Sequence, residues 1–251
     1  MHNKWYWAFK NIFFGPALRL WNRPWSRGMD NIPATGPAIL ASTHQAVMDS
    51  FYFPLLCPRQ IIFLAKAEYF TSPGLVGRVQ KWFFSSVGQV PIERNAESAS
   101  AGMLISAKRI LGNGDLFGIY PEGTRSPDGR VYKGRTGMAR VAMATGEPVI
   151  PIGMIGSRDA NPIGTWIPRP KRVGMVVGEP IDPIAWAREE GLDPESHEAM
   201  RAFTDFVMHR LADMVDQPYV DVYASEVKES LAAGNGYPEG AEPSAPQSGV
   251  A

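Results

Sequence analysis

The chain has 251 residues, with 25 basic and 25 acidic side chains, four histidines and one cysteine. Balanced charge excludes a bulk electrostatic attraction to nucleic acid, and a lone Cys57 excludes a disulfide framework and a thiolate-rich metal site. The length suits one large α/β core, and nothing in its middle has the composition of a linker.

Residues 1–28 hold Lys4, Lys10, Arg19, Arg23 and Arg27 without an acid, alongside aromatics running from Trp5 to Trp25. Charge interrupts their apolar runs and no small-residue cleavage site follows, so this is not a secretory signal. Only 8 residues separate Lys10 from Arg19, against the roughly 20 uncharged residues a membrane-spanning helix requires. Trp5, Phe9, Ile12, Phe13, Pro16 and Leu20 recur at three- and four-residue steps, which predicts an amphipathic helical arm. Two roles stay open for it: lying in the headgroup layer of a membrane, or packing on the core.

A buried strand pattern over residues 38–43 runs into Thr43-His44-Gln45-Ala46-Val47-Met48-Asp49. An imidazole and a carboxylate at this spacing form an oriented general base only if they do not share one helix. Five helical steps of about 100° would set them about 140° apart. A strand ending near Thr43 and a helix opening near Met48 would instead return Asp49 beneath the imidazole. On spacing alone, a structural histidine and a helix-capping aspartate are the commoner reading.

Further on, the pattern predicts a helix over 48–56, a strand over 61–65 that ends at Lys66, and a helix over 75–86. A strand over 89–92 lies within Gly88-Gln89-Val90-Pro91-Ile92-Glu93-Arg94, and a helix over 97–111 follows. A strand over 115–120 leads into Tyr120-Pro121-Glu122-Gly123-Thr124-Arg125-Ser126. There a glycine turn of successive N–H groups can form an anion-binding concavity, and Arg125 offers a planar fork for two phosphate oxygens. The plain alternative is a polar turn with a surface Glu122–Arg125 ion pair of little worth.

Gly129–Thr136 imitates a phosphate-binding loop, but it has Arg where that motif needs Lys and follows a turn instead of a strand. A helix over 137–145, a proline-flanked strand over 149–155, a strand over 172–177 and a long helix over 195–215 complete the pattern. Beyond Leu231 the composition turns to Gly, Ala, Pro, Ser and Glu, and disorder is expected. The chain has no Gly-x-Ser-x-Gly elbow, and His197-Glu198 lacks the second histidine of a zinc protease.

This alternation predicts a single α/β domain with a largely parallel sheet flanked by helices over 29–216. It follows the arm at 1–28 and precedes an extension at 217–251. Ligands of such sheets gather beyond the carboxyl ends of the strands, where His44, Arg94 and Glu122 all fall.

Four segments in this order resemble the glycerolipid acyltransferase family, typified by the bacterial 1-acylglycerol-3-phosphate enzymes. They are Thr43 to Asp49, Gly88 to Arg94, Tyr120 to Ser126, and Glu147-Pro148-Val149-Ile150-Pro151-Ile152. Thr43, Ala46, Tyr120 and Glu93 stand where the family more often has Asn, Ser, Phe and Asp. The resemblance implies transfer of a fatty acyl group from a coenzyme A or acyl-carrier-protein thioester to the hydroxyl of lysophosphatidic acid. Glycerol 3-phosphate or another lysolipid is the alternative acceptor, and a non-catalytic membrane-binding protein the alternative class.

By the same resemblance His44 is the base and Asp49 orients it. Arg125, Arg94 and Lys66 grip the acceptor phosphate, with Gly123, Thr124 and Glu122 in the same turn. Neither a metal nor a cofactor is implied, nor a nucleic-acid partner. The expected location is the cytoplasmic face of a membrane, peripheral or monotopic, without a transmembrane helix.

Overall fold

The computed structural model describes residues 4–243 except 67–70, 75–76, 79–80, 83–84, 86–87, 93–97 and 166. The arm is helix α1 (Lys4–Ala8), a π-helical turn (Phe9–Phe13) and helix α2 (Phe14–Asn22). Its strands are β1 (Trp25–Arg27), β2 (Ala38–Ser42), β3 (Ile61–Lys66), β4 (Val90–Ile92), β5 (Leu116–Ile119), β6 (Val131–Tyr132), β7 (Val149–Ile155), β8 (Gly174–Val177) and β9 (Tyr219–Val220). Further helices are α3 (Asp49–Leu56), α4 (Ser98–Gly112), α5 (Gly137–Thr145), α6 (Ser157–Ala160), α7 (Pro183–Glu189), α8 (His197–Val215) and α9 (Ala224–Ala232).

Seven strands form one sheet in the order β1-β8-β7-β2-β5-β3-β4, and β6 pairs with β9 separately. Neighbours in the large sheet run parallel except β7 and β8. Strand β2 lies at the centre, between β5 and β7, with all five residues buried. That placement explains why its sequence is a continuous apolar run: both faces of a parallel sheet are covered. On one face Ile39, Ala41 and Phe117 pack under Met138, Phe203 and Leu211 of α5 and α8. On the other, Leu40, Leu116 and Ile150 meet Tyr52, Phe53 and Leu55 of α3. Helices α7 and α8 start where Asp182 and Ser196 accept hydrogen bonds from backbone N–H groups of the first turn, satisfying donors that a helix start leaves orphaned.

The arm is docked. The Tyr6 hydroxyl donates to the Pro54 carbonyl (3.2 Å) and the Lys10 ammonium donates to the Cys57 carbonyl, so one flank caps the end of α3. A Cβ on Gly15 would stand 1.7 Å from the Lys10 carbonyl oxygen, so only glycine fits beneath the wide turn. The other flank leaves Trp5, Trp7, Ile12, Phe13, Leu20 and Trp21 exposed. Packing and apolar display therefore coexist in one element. No helix among the described residues is long and apolar enough to cross a membrane.

Two boundaries differ from the sequence reading. Residues 25–27, assigned to the arm, are strand β1, which pairs with β8 at the sheet edge. Disorder expected from about residue 231 is corrected as far as residue 243. Helix α9 continues to Ala232, Ala241 is fully buried, and the Arg130 guanidinium donates to the carbonyls of Ala241 and Glu242. The polar composition hides the order because the segment closes short backbone turns of its own and Arg130 and Tyr132 anchor it to β6. Much of the expected 75–86 helix lies outside the described residues.

Candidate active site

Strand β2 ends at Ser42 and α3 opens at Asp49, so His44 and Asp49 straddle a strand-to-helix turn. The Asp49 carboxylate is fully buried. Its Oδ2 accepts the N–H groups of Gln45 (2.6 Å) and Ala46 (2.7 Å) and faces His44 Nδ1 at 3.3 Å. Two backbone donors thus fix the carboxylate before it meets the imidazole. With Nδ1 paired to an acceptor, the neutral ring carries its proton there and leaves the Nε2 lone pair free.

Neighbouring strands hold the turn. Thr43 Oγ1 accepts the Met154 N–H (3.0 Å), and the His44 carbonyl accepts the Ser126 N–H (2.8 Å). The imidazole lies on the Tyr120 ring with centroids 4.0 Å apart, and Tyr120 in turn stacks on Phe63.

Glu122 is 1% exposed, and both its oxygens are engaged by the backbone. Oε1 accepts the His44 N–H (3.3 Å) and Oε2 the Tyr132 N–H (3.2 Å). It therefore lies under the histidine turn, tying β5 to β2 and β6, and forms no surface pair with Arg125. Burial pushes its carboxyl up to about 8 against the opposing pull of those two donors.

His44 lines a cleft of about 1270 Å³. Phe9, Phe14 and Leu18 of the arm, Phe63 and Leu64 of β3, and Phe117 and Ile119 of β5 make one part apolar. Arg125, Arg135 and Arg140 line another part, beside Thr136, Gly137 and Met138 at the start of α5. None of the three arginines makes a salt bridge among the described residues. The positive end of α5 adds to their attraction for an anion. Lys228 of α9 reaches the same turn, its ammonium donating to Thr124 Oγ1 (2.8 Å). Burial, then the nearby Arg125 guanidinium, lowers the Lys228 pKa. Tyr223 lies 5.0 Å from the Arg135 guanidinium, which also donates to the Ser225 hydroxyl (3.0 Å).

Of the residues expected at this site, the structure brings His44, Asp49, Gly123, Thr124 and Arg125 together. The Gly123 N–H closes its own turn onto the Tyr120 carbonyl (3.0 Å), so Gly123 contributes a left-handed φ of 73° in place of a free donor. Arg94 lies outside the described residues. Lys66 closes β3, but its side chain also falls outside the described set. Arg135, Arg140, Tyr223 and Lys228 were not foreseen. Arg135 belongs to the stretch that imitates a phosphate loop, the one local signal that pointed to it. Cys57 is buried and its thiol is pushed up to about 11 by burial, which suits packing and not attack.

A family model described as Acyltransferase matches residues 24–155. The chain is 32% identical over 139 residues to the chloroplastic 1-acyl-sn-glycerol-3-phosphate acyltransferase LPAT1 of Arabidopsis thaliana, covering 55% of this chain and 37% of that protein. It is 28% identical over 127 residues to a 1-acyl-sn-glycerol-3-phosphate acyltransferase of Borreliella burgdorferi, covering 50% and 48%. The match thus spans less than half the length of either relative. The crystal structure of the 1-acyl-sn-glycerophosphate acyltransferase PlsC from Thermotoga maritima aligns with a TM-score of 0.61 at 27% identity, covering 83% of this chain and 79% of that one.

Proposed function

Because the chain belongs to the acyltransferase family, we propose that it moves a fatty acyl group from a thioester to the free hydroxyl of 1-acylglycerol 3-phosphate, giving phosphatidic acid. The observation that carries this reading is the position of His44. His44 lines a single cleft together with apolar side chains of the arm, β3 and β5 and with Arg125, Arg135 and Arg140. One such cleft suits a molecule with a hydrocarbon chain, a phosphate and a hydroxyl between them, and relatives with this chemistry in their names match about half of the chain.

In this reading Nε2 of neutral His44 takes the acceptor hydroxyl proton as that oxygen attacks the thioester carbonyl. The tetrahedral adduct then collapses, its carbon–sulfur bond breaks, and the imidazolium returns the proton to the thiolate. Asp49 keeps the proton of the ring on Nδ1 at the start and stabilises the imidazolium between the two steps. General-base assistance of this kind is worth about 10²–10⁴-fold in rate. Arg125, Arg135 and the start of α5 hold the phosphate, and Lys228 reinforces them. No covalent enzyme intermediate is required, since a thioester is already activated. The donor is a coenzyme A or acyl-carrier-protein thioester. The exposed apolar flank of the arm rests on the cytoplasmic face of a membrane, bringing the cleft to its lipid acceptor.

The test is release of free thiol from an acyl thioester, measured with lysophosphatidic acid, with glycerol 3-phosphate and with no acceptor. Release that depends on lysophosphatidic acid and yields phosphatidic acid is expected. Release indifferent to acceptor, or none with any donor, overturns the proposal.

A further inference from the structure

Beyond the cleft, one segment combines exposed aliphatic side chains with a basic recess. The chain between α6 and β8, which the structure describes at residues 162–165 and 167–172, lies against the end of the arm at Pro168, Arg169 and Lys171. The Trp21 indole donates to the Pro168 carbonyl (2.8 Å), and the fully buried Asn22 amide donates to the carbonyls of Arg169 and Lys171 (2.8 Å each). The segment also has internal bonds: Asn161 reaches the Thr165 carbonyl, Thr165 the Pro162 carbonyl, and the Arg169 N–H the Ala160 carbonyl. It is a built feature, yet it leaves Ile163 49% and Ile167 78% exposed, and Trp21, which bonds it, is itself 51% exposed. Arg169, Lys171 and Arg172 line a recess of about 340 Å³ at its base together with the single carboxylate Asp159, so cations outnumber acids three to one.

We propose that residues 162–165 and 167–172 form a second membrane-contact element, in which Arg169, Lys171 and Arg172 take anionic phospholipid headgroups and Ile163 and Ile167 enter the interfacial layer. Charge complementarity selects this occupant: exposed aliphatics beside solvent-facing cations match an anionic bilayer surface, where acyl chains lie just beneath phosphates. The arm makes the placement useful. Tyr6, Phe9, Phe14 and Leu18 along its length line the cleft, while Trp21 and Asn22 at its end hold the segment. Contact through the arm alone would leave the protein free to swivel on the membrane; contact through the arm and this segment together sets the direction in which the cleft opens. This inference rests on the membrane-facing arm of the proposed function, but not on the acyl-transfer chemistry.

The experiment compares the full chain with Arg169→Ala/Lys171→Ala/Arg172→Ala and Ile163→Ser/Ile167→Ser. Its readouts are partition onto phosphatidylglycerol-containing and pure phosphatidylcholine vesicles, melting temperature, sedimentation velocity, and thiol release with a short-chain lysophosphatidate that stays monomeric. The triple variant should lose about 10²-fold in partition onto the anionic vesicles, about fivefold for each surface cation. Its partition onto phosphatidylcholine should change little. The isoleucine pair should lose about tenfold on both vesicle types. Melting temperature and turnover of the monomeric substrate should hold for both variants.

Partition within twofold of the parent for both variants overturns the proposal, as does a parent chain that ignores anionic vesicles at low salt. A parent dimer that the isoleucine variant disperses, without change in vesicle binding, assigns the patch to self-association and likewise overturns it. Loss of vesicle binding in a chain that shows no acyl transfer would refute the proposed reaction while leaving the membrane element standing.

Discussion

The His44 imidazole lies flat on the ring of Tyr120, with planes 16° apart and centroids separated by 4.0 Å. Asp49 sets the azimuth of the imidazole through Nδ1, whereas Tyr120 sets its tilt, so the two together leave Nε2 one direction. Tyr120→Phe keeps the stack and most of the activity. Tyr120→Leu lets the ring tip and lowers kcat on the order of 10-fold, because small misplacements of a base are costly. Steady-state kinetics on the two variants check this, and a Leu variant with the parent kcat would show that the stack is packing alone.

Asp49→Asn preserves shape but removes the charge that stabilises the imidazolium. Its expected effect is a fall in kcat of about 10²–10⁴-fold. Asp49→Ala also strips an acceptor from the Gln45 and Ala46 N–H groups, which costs about 1–3 kcal/mol of stability if they stay buried. His44→Ala should abolish turnover with little change in the melting curve. Circular dichroism melts beside rate measurements separate the two effects, and a folded His44→Ala chain with near-parent turnover would sink the mechanism.

Glu122 makes stability depend on pH. Its carboxyl titrates near 8 when folded and near 4.5 when exposed. Between those values the unfolded chain releases a proton that the folded chain retains, so stability is fully present below about 4.5 and is lost as pH rises toward 8. The melting temperature should therefore fall from pH 5 to pH 8. Glu122→Gln, although less stable at pH 5 because an amide donor meets a backbone N–H, should show a flatter profile. An unchanged slope in that variant would assign the pH dependence elsewhere.

Under the proposed function, Arg125→Lys turns a two-pronged phosphate contact into a point charge. The KM for lysophosphatidic acid should rise on the order of tenfold, while saturating acceptor restores most of kcat. Arg135→Ala should move KM in the same direction. A loss of kcat that acceptor cannot restore would place these groups at the reacting carbonyl instead of at the phosphate.

Gly118 of β5 lines the cleft, and a Cβ there would stand 2.4 Å from the Phe63 ring and 2.7 Å from Ile61 Cγ2. Gly118→Ala must push the ring aside or into the cleft, at an overpacking cost of about 1–3 kcal/mol. Competition between thioesters of different length should then favour shorter acyl chains than in the parent. An unaltered ratio would put the acyl chain in another part of the cleft.

The sequence by itself determined whatever is written within a few residues. The apolar run of β2, the turn after Thr43 and the helix opening at Asp49 come from local periodicity and capping chemistry, and they suffice to bring an imidazole onto a carboxylate five residues away. The order of the four segments carried the family, and the mixture of tryptophan and cations carried the arm.

Tertiary structure alone decided which distant groups share the site. Glu122 and His44 are 78 positions apart and Lys228 and Thr124 are 104 apart; they meet because β5 lies beside β2 and because residues after α8 return to pair β9 with β6. Neither adjacency leaves a periodic trace. Glu122 in a polar-looking turn reads as a surface acid until the strand beside it covers it. Lys228 in an acid-rich helix reads as a solvated face until the fold carries that helix to the arginines. Local propensity sets the pieces, but long-range burial and strand order choose their neighbours, and the character of this site depends on those neighbours.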